Sequence, residues 1–128
     1  MSVGGGRSHS YRRGLWGEWL AAAYFMVKGY RIMARRYKTK GGEIDLIVGK
    51  GWLGKPAAVV FVEVKTRSVS AADDTEALEA VTPRSQARIR SAAERFLQQS
   101  PDLLGVECSF DVVLVRPPVS LKHIRVAF

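Results

Sequence analysis

The run "AAVVFVEVKTR", residues 57–67, constrains the fold more than any other stretch of the chain. Side chains on a strand alternate between two faces, so Val59 and Phe61 point one way while Val60, Val62 and Val64 point the other. Both faces are apolar and both must be covered. A strand covered on each side belongs inside a sheet with helices on both faces. The same run sets two charges, Glu63 and Lys65, on the Val59–Phe61 face near its C-terminal end. Charges there are costly unless they are paired, hydrated in a cleft or bound to something.

The flanking segments supply the other layers. "LWGEWLAAAYFMVK", 15–28, has helical spacing, with Leu15, Trp19, Ala22 and Met26 on one face and Glu18 at its border. Trp19 is expected in the core, and Gly29 is placed to end the helix. "YRIMARRY" (30–37) and "EIDLIV" (43–48) read as strands joined into a hairpin by the turn in "KTKGG". Alternation in the second places Glu43, Asp45 and Ile47 on one face and Ile44, Leu46 and Val48 on the other.

Residues 66–82 read as a polar connection containing a short acidic helical stretch, "DDTEALEAV". Thr82-Pro83 then announces a helix whose buried stripe is Ile89, Ala92, Ala93, Phe96 and Leu97. "VECSFDVVLV" (106–115) alternates again, Pro117-Pro118 stops it, and "LKHIRVAF" adds an edge strand. The order α-β-β-β-α-β-β predicts an α/β sandwich, a mixed central sheet flanked by helices. Residues 14–128 form one domain in this reading; residues 1–13, Gly- and Ser-rich and basic with no apolar signal-peptide core, form a flexible tail. No apolar run approaches the ~18 residues of a membrane span. The single cysteine, Cys108, excludes an internal disulfide and fits a reducing, cytoplasmic setting; it is expected buried and inert.

Charge is distributed unevenly. The net charge is +8, yet residues 1–67 hold thirteen Lys/Arg against four acids, while residues 68–128 hold seven against eight. A basic half points to a polyanionic partner such as nucleic acid. The four acids within it are Glu18, Glu43, Asp45 and Glu63. If strand 43–48 neighbours strand 57–64, Asp45 and Glu63 sit side by side and repel unless a cation or proton is shared. Clustered carboxylate oxygens select hard cations, and Mg²⁺ or Mn²⁺ is the usual occupant next to phosphates. With an ammonium alongside, this is the parts list for phosphodiester hydrolysis. Taken alone, Glu63 and Lys65 would instead be a structural ion pair.

Asp45 followed by "FVEVKTR" resembles the PD-(D/E)XK nuclease signature, and "GEWLAAAYFMVKGYRIMARRYKTKGGEIDLI…FVEVKTR…FDVV" is similar to the bacterial YraN family, itself likened to archaeal Holliday-junction resolvases. The resemblance runs from about Gly14 to Val115. It implies a restriction-endonuclease-like fold and a metal-dependent nuclease acting on DNA, including branched structures. In that reading Asp45 and Glu63 hold the divalent ion, Lys65 is the catalytic lysine, and Glu18 completes or adjusts the metal site. Ser85 stands where a lysine is common in that family, and Ser109 replaces a frequent Arg.

Arg35, Arg36, Lys38, Lys40, Arg67, Arg84 and Arg88 are the candidate nucleic-acid contacts, and Trp52, in a Gly-rich turn, is the better placed aromatic for base stacking. His9 and His123 lack the context of a general base. A non-catalytic nucleic-acid-binding module with the same fold is the competing reading. A double-stranded-RNA-binding domain shares the early element order but has no use for an acid–lysine cluster. Oligomeric state stays open, with an edge-to-edge dimer through the final strand as one option.

Overall fold

The computed structural model describes residues 5–66, 82–116 and 120–126. Five strands, β1 (Tyr30–Lys38), β2 (Glu43–Lys50), β3 (Ala58–Thr66), β4 (Glu107–Arg116) and β5 (Ser120–Val126), form one sheet in the order β1-β2-β3-β4-β5. β3 pairs antiparallel with β2 and parallel with β4, so the sheet is mixed, and β1 and β5 are its edges. Helix α1 (Gly5–Val27) covers one face and α2 (Pro83–Gln98) the other, with a 3₁₀ turn at Pro101–Leu103 leading into β4. The acidic stretch 73–81, Arg67 and Pro117-Pro118 lie outside the described residues.

The two faces of β3 divide as alternation requires. Val60 and Val62 join Leu46, Val48, Val113 and Val115 under α1, whose contribution is Ala21, Ala22 and Phe25. Val59 and Phe61 join Ile44 and Ile47 under Ile89, Ala92 and Ala93 of α2. Parallel pairing of β3 with β4 demands a long crossover, and α2 provides it. Thr82 starts that helix with a reciprocal cap: its hydroxyl accepts from the Ser85 amide at 3.1 Å, and the Ser85 hydroxyl accepts from the Thr82 amide at 3.0 Å. Ser85 therefore has a structural task where the family resemblance led us to expect a lysine.

Three expectations change. First, α1 begins at Gly5, so residues 5–13 are helical instead of a loose tail. Second, Trp19 is not core: it is 58% exposed and Met26 44%, and the helix rests on Ala21, Ala22 and Phe25. Small residues decide which side approaches the sheet. A Cβ added at Gly17 would lie 2.3 Å from Thr66 Oγ1, so the helix is closest where its side chains are smallest. Third, Cys108 is exposed on the early, uncovered part of β4.

The alternation of β2 also breaks, and the break falls at Asp45. Ile44 packs with Ile47 on the α2 side, while Leu46 and Val48 pack on the α1 side. The cause lies across the ladder. β1 pairs Arg35 with Leu46 and Tyr37 with Ile44, and the residue between, Arg36, has φ +53°. A left-handed residue turns the strand, and Tyr37 and Ile44 are brought back beneath α2 with it. Holding a non-glycine residue there costs on the order of 1–3 kcal/mol, which the surrounding packing must offset.

Candidate active site

β2 and β3 stay paired from Gly49↔Val59 to Leu46↔Val62 and then part, while β3 continues along β4 to Thr66. The Val64 amide, left without a β2 carbonyl, donates to Asp45 Oδ2 at 2.8 Å. The Asp45 carboxylate thus fills the gap between the diverging strands, near the plane of the sheet. Glu63 and Lys65 follow the Val59–Phe61 side, and Lys65 Nζ lies 3.0 Å from Glu63 Oε2. From α1, Glu18 Oε1 meets Arg36 Nε at 2.9 Å, with the Glu18 side chain only 15% exposed.

These groups act on one another. Burial, above all, lifts the Asp45 carboxyl from 3.8 to about 7. The Glu63 charge is the second cause of that rise, the Val64 amide opposes it, and the charges of Glu18 and Lys65 reach the carboxyl with opposite signs. Near neutral pH, Asp45 is held close to half-ionised. Four residues from three elements, Glu18, Asp45, Glu63 and Lys65, therefore form one electrostatic unit, with Arg36 as a fifth member bound to Glu18.

Whether this unit fits a divalent cation turns on its donors. Among the described residues, no three His, Cys, Asp or Glu side chains converge as a metal cage. Glu18 is committed to Arg36. Asp45 and Glu63 remain as hard oxygen donors, and two carboxylates completed by water and substrate phosphate suit Mg²⁺ or Mn²⁺. Glu63 would have to share its carboxylate between the ion and Lys65. The donor set fits.

The candidate phosphate contacts separate into groups. Arg35 lies over the Trp19 ring at 4.1 Å from its centroid, and Arg36 is occupied by Glu18. Lys38 and Lys40 line a cleft of about 610 Å³ between the β1–β2 turn and α2. Arg84 and Arg88 are exposed on α2. Glu43 is exposed as well. Trp52 is 60% exposed on the β2–β3 loop, at the opposite end of the sheet from Asp45, so it does not share a surface with the acids.

A polar cluster that the sequence did not suggest lies on the α1 face. Asp111, only 5% exposed, has its Oδ2 2.5 Å from His123 Nε2, and His123 Nδ1 lies 2.9 Å from the Tyr24 hydroxyl. Lys28 Nζ donates to that hydroxyl at 3.2 Å. His123 is thus the middle of a hydrogen-bonded chain, although it stands on the edge strand β5. The available signal was Asp111 itself, a lone acid on the otherwise apolar strand "FDVVLV".

The model of the family described as "Uncharacterised protein family UPF0102" matches residues 17–115. The chain belongs to this family. Among UPF0102 relatives, a protein from Mesorhizobium japonicum is 47% identical over 122 residues, spanning 95% of this chain and 90% of the relative. One from Rhodopseudomonas palustris (strain HaA2) is 46% identical, spanning 95% and 88%, and one from a Chelativorans species is 44% identical, spanning 94% and 93%. The UPF0102 match contains Glu18, Arg36, Asp45, Glu63, Lys65 and Asp111, and stops short of His123. No described helix is long and apolar enough to cross a membrane.

Proposed function

We propose that this protein is a divalent-cation-dependent nuclease of the restriction-endonuclease-like kind, hydrolysing phosphodiesters in DNA, branched structures included. The observation that carries this reading is the burial of Asp45 beside Glu63, with Lys65 alongside. An acid lifted to about 7 in a basic domain is held at a cost that a divalent cation removes. When bound, such an ion polarises a nonbridging phosphate oxygen and makes a bound water more acidic. Asp45 and Glu63 bind it. Lys65, 3.0 Å from Glu63, offsets negative charge gathering on the phosphate and orients the attacking water. Glu18 and Arg36 position the Asp45 strand and keep a second acid near it.

The alternative is a binding module that cleaves nothing, and one observation favours it: Glu18 and Glu63 already have cationic partners. Calorimetric titration with Mn²⁺ separates the two. A nuclease binds the ion and loses it in Asp45→Ala, and it nicks branched, single-stranded or duplex DNA in a manner abolished by Lys65→Ala. A binding module takes up no ion, and its DNA affinity survives Asp45→Ala or improves. Absence of both ion uptake and cleavage under every divalent cation tried would overturn the nuclease reading.

A further inference from the structure

We infer that the cleft between the β1–β2 turn and α2 is a subsite for a single unpaired strand, seating a nucleotide with its phosphate. The inference rests on the nucleic-acid reading above and deepens it by naming the form of the substrate. The cleft's volume, about 610 Å³, lies in the range of small-ligand sites, and is far too small to admit a duplex. One wall is the turn, Tyr37 to Gly41; the other is one face of α2 with the residue that caps its C-terminus, Ser91, Arg95 and Gln99.

Three cations, Lys38, Lys40 and Arg95, border this space, and among the described residues no acid lines it. None of the three has an acidic partner among the described residues. A concave surface with this lining attracts an anion. Neutral groups add direction. The Tyr37 hydroxyl donates to Gln99 Oε1 at 2.8 Å, which leaves the Gln99 amide nitrogen as a donor, and the Ser91 hydroxyl stands nearby. The Tyr37 ring is itself fixed, edge-on to Phe96 at 5.4 Å.

The cleft is also preorganised. Thr39 Oγ1 accepts from the Gly41 and Gly42 amides at 3.2 and 3.1 Å, closing the turn. Gly42 presses on the helix, where a Cβ would lie 2.0 Å from the Arg88 carbonyl oxygen, and a Cβ at Gly41 would lie 2.1 Å from Ser91 Oγ. Fixed walls lower the ordering cost of binding. Position completes the argument. The rungs Tyr37↔Ile44 and Lys38↔Glu43 follow directly on the Arg36–Asp45 break, on the α2 side that carries Glu63 and Lys65. Along a strand that is roughly 7–10 Å from Asp45, or about two to three stacked nucleotides.

Fluorescence anisotropy in EDTA, with a labelled single-stranded oligonucleotide and a duplex of equal length, tests this. Arg95→Glu and Lys40→Ala should weaken single-strand binding about tenfold and several-fold, and each should lower the salt slope by about one. Duplex binding should change little, and Lys50→Glu, exposed at the far end of β2 and outside the cleft, should spare single-strand preference. Circular dichroism melts confirm that each variant folds. Unchanged single-strand affinity, equal loss for both substrates, or an equal effect of Lys50→Glu would overturn the inference. Because no divalent ion is present, the outcome is independent of cleavage: a protein that cuts nothing can still show the cleft's selectivity, and a nuclease can fail to show it.

Discussion

Replacing Asp45 with asparagine should make the cation-free protein more stable, although the residue is at the centre of the candidate site. In an unfolded chain its carboxyl ionises near 3.8; in the folded protein the value is about 7. Between those pH values the unfolded chain gives up a proton that the folded protein retains, so stability falls as pH rises from about 4 to about 7. Above that window the full penalty applies, on the order of 4 kcal/mol. Asparagine removes the charge and keeps a carbonyl oxygen to accept the Val64 amide, at the loss of a stronger charged hydrogen bond and of attraction to Lys65. The expected net gain at pH 8 is about 2–3 kcal/mol, equivalent to roughly 10 °C in melting temperature for a domain of this size. Thermal and urea melts in EDTA between pH 4 and 8 measure it. The gain should shrink toward pH 4 and, with Mn²⁺ added, wild type should recover stability that the variant does not. An Asn variant no more stable than wild type at pH 8 in EDTA would refute the argument that burial holds Asp45 in a destabilised form.

Other perturbations follow from the same geometry. His123→Ala leaves the buried Asp111 side chain without its hydrogen-bond partner and should cost about 3 kcal/mol in urea unfolding, whereas changing Asp111 and His123 together to leucine should cost less than His123→Ala alone. Gly17→Ala drives a methyl into Thr66 Oγ1, and should lose about 1–2 kcal/mol despite the helix propensity of alanine; adding Thr66→Ala should restore most of it. Arg36→Gly and Arg36→Ala both release Glu18, but only alanine keeps the left-handed strain, so the glycine variant should melt higher by about 1 kcal/mol. Trp19→Ala should change stability by under about 1 kcal/mol, because the ring is 58% exposed.

The sequence made the central layers readable because β3 carries its own constraint. Two apolar faces on one strand dictate two covering helices, and the Thr82-Pro83 cap and the alternating strands are local signals that need no tertiary information. The side of β3 taken by Glu63 and Lys65 was equally legible. Asp45 was harder. Alternation along "EIDLIV" assumes an unbroken ladder, and the break is imposed from the opposite strand by Arg36, whose left-handed backbone has no signature in an Arg-Arg dipeptide. Trp19 was misplaced because hydrophobicity ranks it above alanine, whereas helix–sheet distance at Gly17 and Ala21 favours the smaller residue. The contact between Asp111 and His123 depends on the β4–β5 register, which pairs Val113 with His123 and sets Asp111 on the diagonal. No local pattern encodes that register.

Helix α1 connects the two polar clusters. Through Glu18 it is tied to Arg36 on edge strand β1, and through Tyr24 to His123 on edge strand β5, with Phe25 buried between them. The helix therefore crosses the sheet from edge to edge, pinned at each side by a directional bond and in the middle by close packing. Glu18 contributes to the charge felt by Asp45, so its placement matters to the candidate site even though its carboxylate is committed to Arg36. A conservative change at the far pin isolates this effect. Tyr24→Phe keeps the ring contacts with Phe25 and His123, at 5.2 and 5.4 Å, and removes only the hydroxyl. Its stability cost should be about 1 kcal/mol. If the middle packing alone fixes the helix, Mn²⁺ affinity stays at the wild-type value; a shift in that affinity without loss of fold would mean that the Tyr24–His123 bond helps set where Glu18 stands.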